Sequence, residues 1–178
     1  MADKLPADFP ETGWGMPFSK LFNEAVEVQN HAYNGRSTKS FRREGRWAKV
    51  QAQLKKGDYV FIQFGHNDAK ASDTARYAPS QTDFRENLTR YVAETRAKGG
   101  IPILLTPTQR RKFDSTGVFI DQHADYPSVV KEVAALLKVP MIDLHKSSEA
   151  LIVKEGVEGS KRLFLNIPAQ HFKNYKGK

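Results

Sequence analysis

Three short runs, residues 58–64, 101–106 and 139–143, are nearly continuous in apolar side chains, and the stretches between them carry helical spacing. A strand with one wet face alternates apolar and polar residues; a run that does not alternate is buried on both faces, as in a parallel sheet covered by helices. Parallel neighbours also need long crossovers, which the helical stretches supply. The chain is therefore read as an α/β domain. Residues 36–54 read as one helix with Phe41, Trp47 and Val50 on its inner face. Ser80–Asp83 resembles a capping-box start, with Phe84, Leu88, Tyr91 and Val92 following at helical spacing until Gly99-Gly100 stops the helix. Pro127 suits a first helical position, ahead of an apolar face made by Val129, Val130, Val133, Leu136 and Leu137. A last helix is expected over 147–157. Residues 26–30 alternate at period two and are expected to form a further short strand. Residues 107–126 form a long polar loop, and loops of that length are usually functional.

Length and composition narrow what such a fold can do. At 178 residues the chain suits one domain with a real core. No stretch approaches the ~18 apolar residues of a membrane-spanning helix. The opening Met1–Pro6 has no apolar signal region, and the absence of cysteine excludes disulfides, thiolate–zinc sites and thiol nucleophiles. A chain without cysteine fits either redox compartment, so the localisation stays open. The net charge is +8 (28 basic, 20 acidic), of which five charges are Lys161, Arg162, Lys173, Lys176 and Lys178 in a tail without acids. Such basicity suits a nucleic acid or an anionic polysaccharide. Residues 36–56 hold eight basic side chains and one acidic one, either a solvated helical face or a rim attracting an anionic substrate. No helix-turn-helix or RNP-like module accompanies them, which argues against nucleic acid.

In parallel sheets ligands gather beyond the carboxyl ends of strands. Gly65-His66-Asn67-Asp68 stands there, after the run at 58–64. On spacing alone it reads equally as an Asx-type turn. Asn34-Gly35-Arg36-Ser37 follows the expected strand at 26–30; Gly35 is either a plain loop glycine, with Ser37 as helix cap, or a donor of backbone N–H to an anion. The five histidines, His31, His66, His123, His145 and His171, show no His-Glu-x-x-His spacing, so no metal site is read from them.

Taken together, Ala32–Phe41, Arg43–Trp47 and Phe64–Asp68 resemble the SGNH (GDSL-like) hydrolases, and more narrowly the rhamnogalacturonan acetylesterase group; Glu11–Gly15 and the segment from Thr106-Pro107 to Arg110-Arg111 fit the same group. The resemblance implies a flavodoxin-like three-layer α/β/α sandwich with a mainly parallel sheet. It implies a serine esterase removing acetyl groups from an anionic pectic polysaccharide, with no cofactor, no metal and no membrane or nucleic-acid partner. Gly35, through its backbone N–H, and Asn67, through its side-chain amide, match the two blocks that supply oxyanion donors. His66 is expected to orient the turn, Asp68 to brace it.

The chain departs from the family at two blocks. It contains no Gly-Asp-Ser, and Asp121, Asp125 and Asp143 are each followed three places on by something other than histidine. Met1–Lys4 resembles the segment just after the family's nucleophile, and His171–Asn174 resembles the lead-in to its Asp-x-x-His block. The expectation is an incomplete single domain over residues 1–178, cut at both ends. The first strand, nucleophile and base would then lie outside, and the full-length parent could be secreted or periplasmic. The second expectation is a non-catalytic carbohydrate-binding relative. His145, after the strand at 139–143, and Ser37 are the nearest substitutes for a missing base and nucleophile, although loop and cap roles suit them better.

Overall fold

The computed structural model describes residues 1–5 and 9–166. These fall into two compact units, Gly35–Lys154 and Met1–Asn34 with the chain from Glu155 onward. The larger unit holds a parallel sheet in the order β1 (Tyr59–Gln63), β2 (Ile101–Leu105), β3 (Met141–Ile142). Tyr59 pairs with Ile101 and Gln63 with Leu105, so β1 and β2 run in register along their whole length; β3 pairs only at Leu104–Met141 and Leu105–Ile142. The three apolar runs thus form three parallel strands, the last cut to two residues.

Five helices carry residues of the larger unit: α2 (Thr38–Arg43), α3 (Arg46–Gln53), α4 (Arg85–Ala97), α5 (Tyr126–Leu136) and α6 (Leu144–Gly159); α1 (Gly15–Phe18) belongs to the smaller unit. Phe84, Leu88, Tyr91 and Val92 of the α4 region are all buried, as are Val129, Val130 and Val133 of α5. They close over Ile62 and Leu104 from the strands. Tyr91 is the hinge of an aromatic cluster: Trp47 meets it edge-on with centroids at 4.7 Å, and Phe64 stacks on it at 5.3 Å.

Several expectations are corrected. Residues 36–54 are two helices, because Gly45 takes a left-handed φ of 68° that ends one helix and starts the next. Ser80 does not cap α4; it enters a π-helical turn over Ser80–Phe84, and its hydroxyl donates to Asp125 at 2.7 Å. Leu136 is exposed rather than facing the core, and α6 begins at Leu144. Residues 26–30 form no strand. Val26 closes a turn onto the Asn23 carbonyl, and the Asn30 amide donates to the Met1 carbonyl (2.9 Å) and to Asp3 (2.7 Å). Alternation alone makes no strand when neither face finds a core. Within the smaller unit, Trp14, Phe18 and Phe22 form an edge-to-face series over α1.

Candidate functional site

The turn after β1 is built around Asp68, which is fully buried. Its Oδ1 accepts from the Thr38 backbone N–H (2.8 Å) and the Thr38 hydroxyl (2.6 Å), and its Oδ2 accepts from the Gly65 N–H at 3.1 Å. The Tyr126 hydroxyl donates to the Asp68 carbonyl at 3.1 Å and to that of Ala78 at 2.9 Å. Burial pushes the Asp68 carboxyl up to about 6, against the opposing pull of the Thr38 and Gly65 hydrogen bonds. Gly65 has φ +124°, and a Cβ there would lie 3.2 Å from the Pro107 ring, so both backbone and space call for glycine. One carboxylate therefore ties the turn after β1 to the N-terminus of α2, the two segments that carry Asn67 and Gly35.

The structure brings those two together. The Asn67 Nδ2 donates to the carbonyl of Arg36, the residue after Gly35, at 3.2 Å. Arg76 donates to the Asn67 Oδ1 at 3.4 Å, and the same guanidinium lies 3.7 Å from where a Gly35 Cβ would be. Arg76 is itself held by Asp73 at 2.5 Å. The guanidinium favours one orientation of the amide: oxygen toward Arg76, nitrogen toward the Arg36 carbonyl. Gly35 has φ +75°, a conformation few other residues adopt.

Ser37 is fully buried and caps α2 through a capping box with Ser40, accepting from the Ser40 N–H at 3.1 Å while Ser40 Oγ accepts from the Ser37 N–H at 2.9 Å. This is a structural hydroxyl, not a poised nucleophile. Ser37→Ala should cost about 1 kcal/mol of unfolding free energy, the usual worth of a helix cap. Denaturant melts of the two proteins check it; a change under about 0.3 kcal/mol would mean the box contributes nothing.

Three of the eight basic residues at 36–56 are in ion pairs. Arg36 and Arg46 both reach Glu44, at 2.9 and 2.7 Å, and Arg42 reaches Glu94 at 2.7 Å. His171–Asn174 and the tail lysines 173, 176 and 178 lie outside the described residues.

A second group of polar side chains escapes notice in the sequence. His66, His123 and His145 pack in a row, His66 edge-on to His123 at 4.6 Å between centroids and His123 edge-on to His145 at 5.5 Å. Asp121 reaches His145 Nε2 at 3.0 Å and His123 Nδ1 at 3.5 Å. Burial pushes His66 down to about 3 and His123 down to about 4, with the neighbouring histidine acting in the same direction in each case. Both rings are neutral at pH 7. His66 thus packs against His123 as well as belonging to the turn. Three chain segments far apart in sequence supply this group, so no spacing rule could have found it.

The family model described as the GDSL-like lipase/acylhydrolase family matches residues 5–158. The rhamnogalacturonan acetylesterase RhgT of Bacillus subtilis (strain 168) is 40% identical over 175 residues, covering 98% of this chain and 74% of that protein. The probable rhamnogalacturonan acetylesterase YesY of the same organism is 36% identical over 146 residues, covering 82% of this chain and 67% of its own length. Among solved structures, the B. subtilis YxiM protein aligns with a TM-score of 0.75 at 28% identity, over 85% of this chain and 42% of that one. With the parallel sheet described above, that likeness identifies a flavodoxin-like α/β fold. The chain spans about three quarters and two thirds of the two acetylesterase relatives and less than half of the YxiM chain.

Proposed function

The chain belongs to the GDSL-like lipase/acylhydrolase family, and from that premise we propose that it is the oxyanion-hole portion of an SGNH-type carboxylic ester hydrolase acting on acetyl esters of a pectic polysaccharide such as rhamnogalacturonan. The chain is read as one incomplete domain of that family. The observation that carries the reading is the Asn67 amide held against the Gly35–Arg36 backbone. An amide nitrogen has two hydrogens. One holds Asn67 beside Gly35; the other can be presented, with the Gly35 N–H, to an oxygen that gains charge when an acetyl carbonyl becomes tetrahedral. Donors set in place beforehand need no reorganisation as that charge develops. In the complete site a serine oxygen would attack the carbonyl and a histidine would take its proton. Neither family block for those groups occurs in this sequence. Buried, capping Ser37 is no substitute for the serine.

Purified as it stands, the chain should release no nitrophenolate from p-nitrophenyl acetate beyond the rate of a Gly35→Ala/Asn67→Ala control. Joined to the segments of the B. subtilis RhgT protein that lie outside the matched region, it should release acetate from acetylated rhamnogalacturonan. Turnover by the unjoined chain well above the control would overturn the assignment of missing groups. A folded, p-nitrophenyl-acetate-active chimera that ignored the acetylated pectin would overturn the substrate.

A further inference from the structure

We propose that Asp121, His123 and His145 form a binding site for a single divalent transition-metal cation, of the zinc class, which clamps the 107–126 loop onto the β3–α6 junction. One ligand atom from each of the three residues lies within 4.8 Å of the others. In a tetrahedral site with bonds of about 2.0–2.1 Å, ligand atoms stand roughly 3.3 Å apart. The His145 Nε2 stands 3.0 Å from one Asp121 oxygen and the His123 Nδ1 stands 3.5 Å from the other, both near that spacing. Two imidazole nitrogens and one carboxylate oxygen are a donor set suited to zinc, with a fourth position left for water.

Two hydrogen-bond partners of opposite kind compete for one ring nitrogen in the group. The His145 Nε2 lies 2.8 Å from the Gln109 amide nitrogen and 3.0 Å from an Asp121 oxygen. Facing an amide N–H, that ring nitrogen must accept; facing a carboxylate, it must donate. It has one proton or one lone pair, never both. A cation between Asp121 and His145 takes a lone pair from each and displaces the amide. His123 is 1% exposed at its side chain; its Nδ1 lies 3.5 Å from Asp121 and 3.3 Å from the Gln109 Oε1, while its Nε2 is buried with no hydrogen-bond partner. Buried polar atoms without partners are rare, and a cation held by this ring is one way to account for it. Glu149, 3.3 Å from the Gln109 amide, adds negative charge nearby, while Arg110 is held on the His66 carbonyl at 3.1 Å. The junction is already rigid: the His145 N–H donates to the Thr106 hydroxyl (2.8 Å), which donates to Asp143 (3.1 Å). Because His123 packs on His66, the residue before Asn67, the clamp would also steady the turn that carries the oxyanion donor.

The test is cobalt titration of the chelator-treated chain, followed by visible d–d absorption and by melting. Absorption should saturate near one equivalent, and a hundredfold excess of cobalt over its Kd should raise the melting temperature by several degrees. Asp121→Asn and His145→Gln should each remove both effects, with folding of the metal-free variants checked by far-ultraviolet circular dichroism. His31→Gln, in the smaller unit, should change neither. Failure of the parent chain to develop the absorption, or a signal that survives in both folded variants, would overturn the site.

Discussion

Asp68→Ala should lower the unfolding free energy by about 3–5 kcal/mol, the cost of stranding several buried partners at once. The carboxylate is fully buried and receives the Thr38 N–H, the Thr38 hydroxyl and the Gly65 N–H. Alanine supplies no acceptor for these three donors. Against a domain stability of roughly 5–15 kcal/mol, that loss is severe, and it should move the melting temperature by about 10 °C or more. Asp68→Asn separates the parts of the effect. Its oxygen can still serve Thr38, while its amide N–H₂ would face the Gly65 N–H, donor against donor. It should therefore fall between the parent and the alanine variant. Equilibrium urea denaturation of the three proteins is the check. An alanine variant within about 1 kcal/mol of the parent would show that water satisfies the turn as well as Asp68 does.

The same turn shows what could be read from the sequence. The runs at 58–64 and 101–106 announced β1 and β2 by their apolar, β-branched character, although in β1 only Ile62 is buried and Tyr59 is exposed; Phe84, Leu88, Tyr91 and Val92 announced the inner face of α4. Gly65 and Asn67 could be placed at a strand's carboxyl end before any coordinates, since that position follows from the strand itself. What spacing could not reveal depends on contacts between distant segments. The alternation at 26–30 promised a strand, but those residues are held by a local turn and by Asn30 reaching Met1. The basic stretch at 36–56 read either as a solvated helical face or as a cationic rim; the pairing of three of its arginines with Glu44 and Glu94 could not be read from spacing. The histidine row draws on residues 66, 109, 121–123 and 145, and although His66 and His145 drew notice singly, nothing in their spacing joins them. Its chemistry exists only after the 107–126 loop has folded back onto the sheet's carboxyl edge.

The proposed pairing of Asn67 and Gly35 as oxyanion donors is tested by steady-state kinetics of the chimera with the RhgT flanking segments. Asn67→Ala removes one donor aimed at charge that exists only in the transition state. The loss should therefore fall on kcat, by about 10²–10³-fold, with KM nearly unchanged. Arg76→Gln, which removes the guanidinium holding the Asn67 oxygen, should lower kcat by a smaller factor. Tight folding of each variant is confirmed by its melting temperature before the rates are compared. A hundredfold or greater fall in kcat for Asn67→Ala is the result expected here; a folded Asn67→Ala chimera that turns over within threefold of its parent would contradict the pair and the acyl-transfer reading built on it.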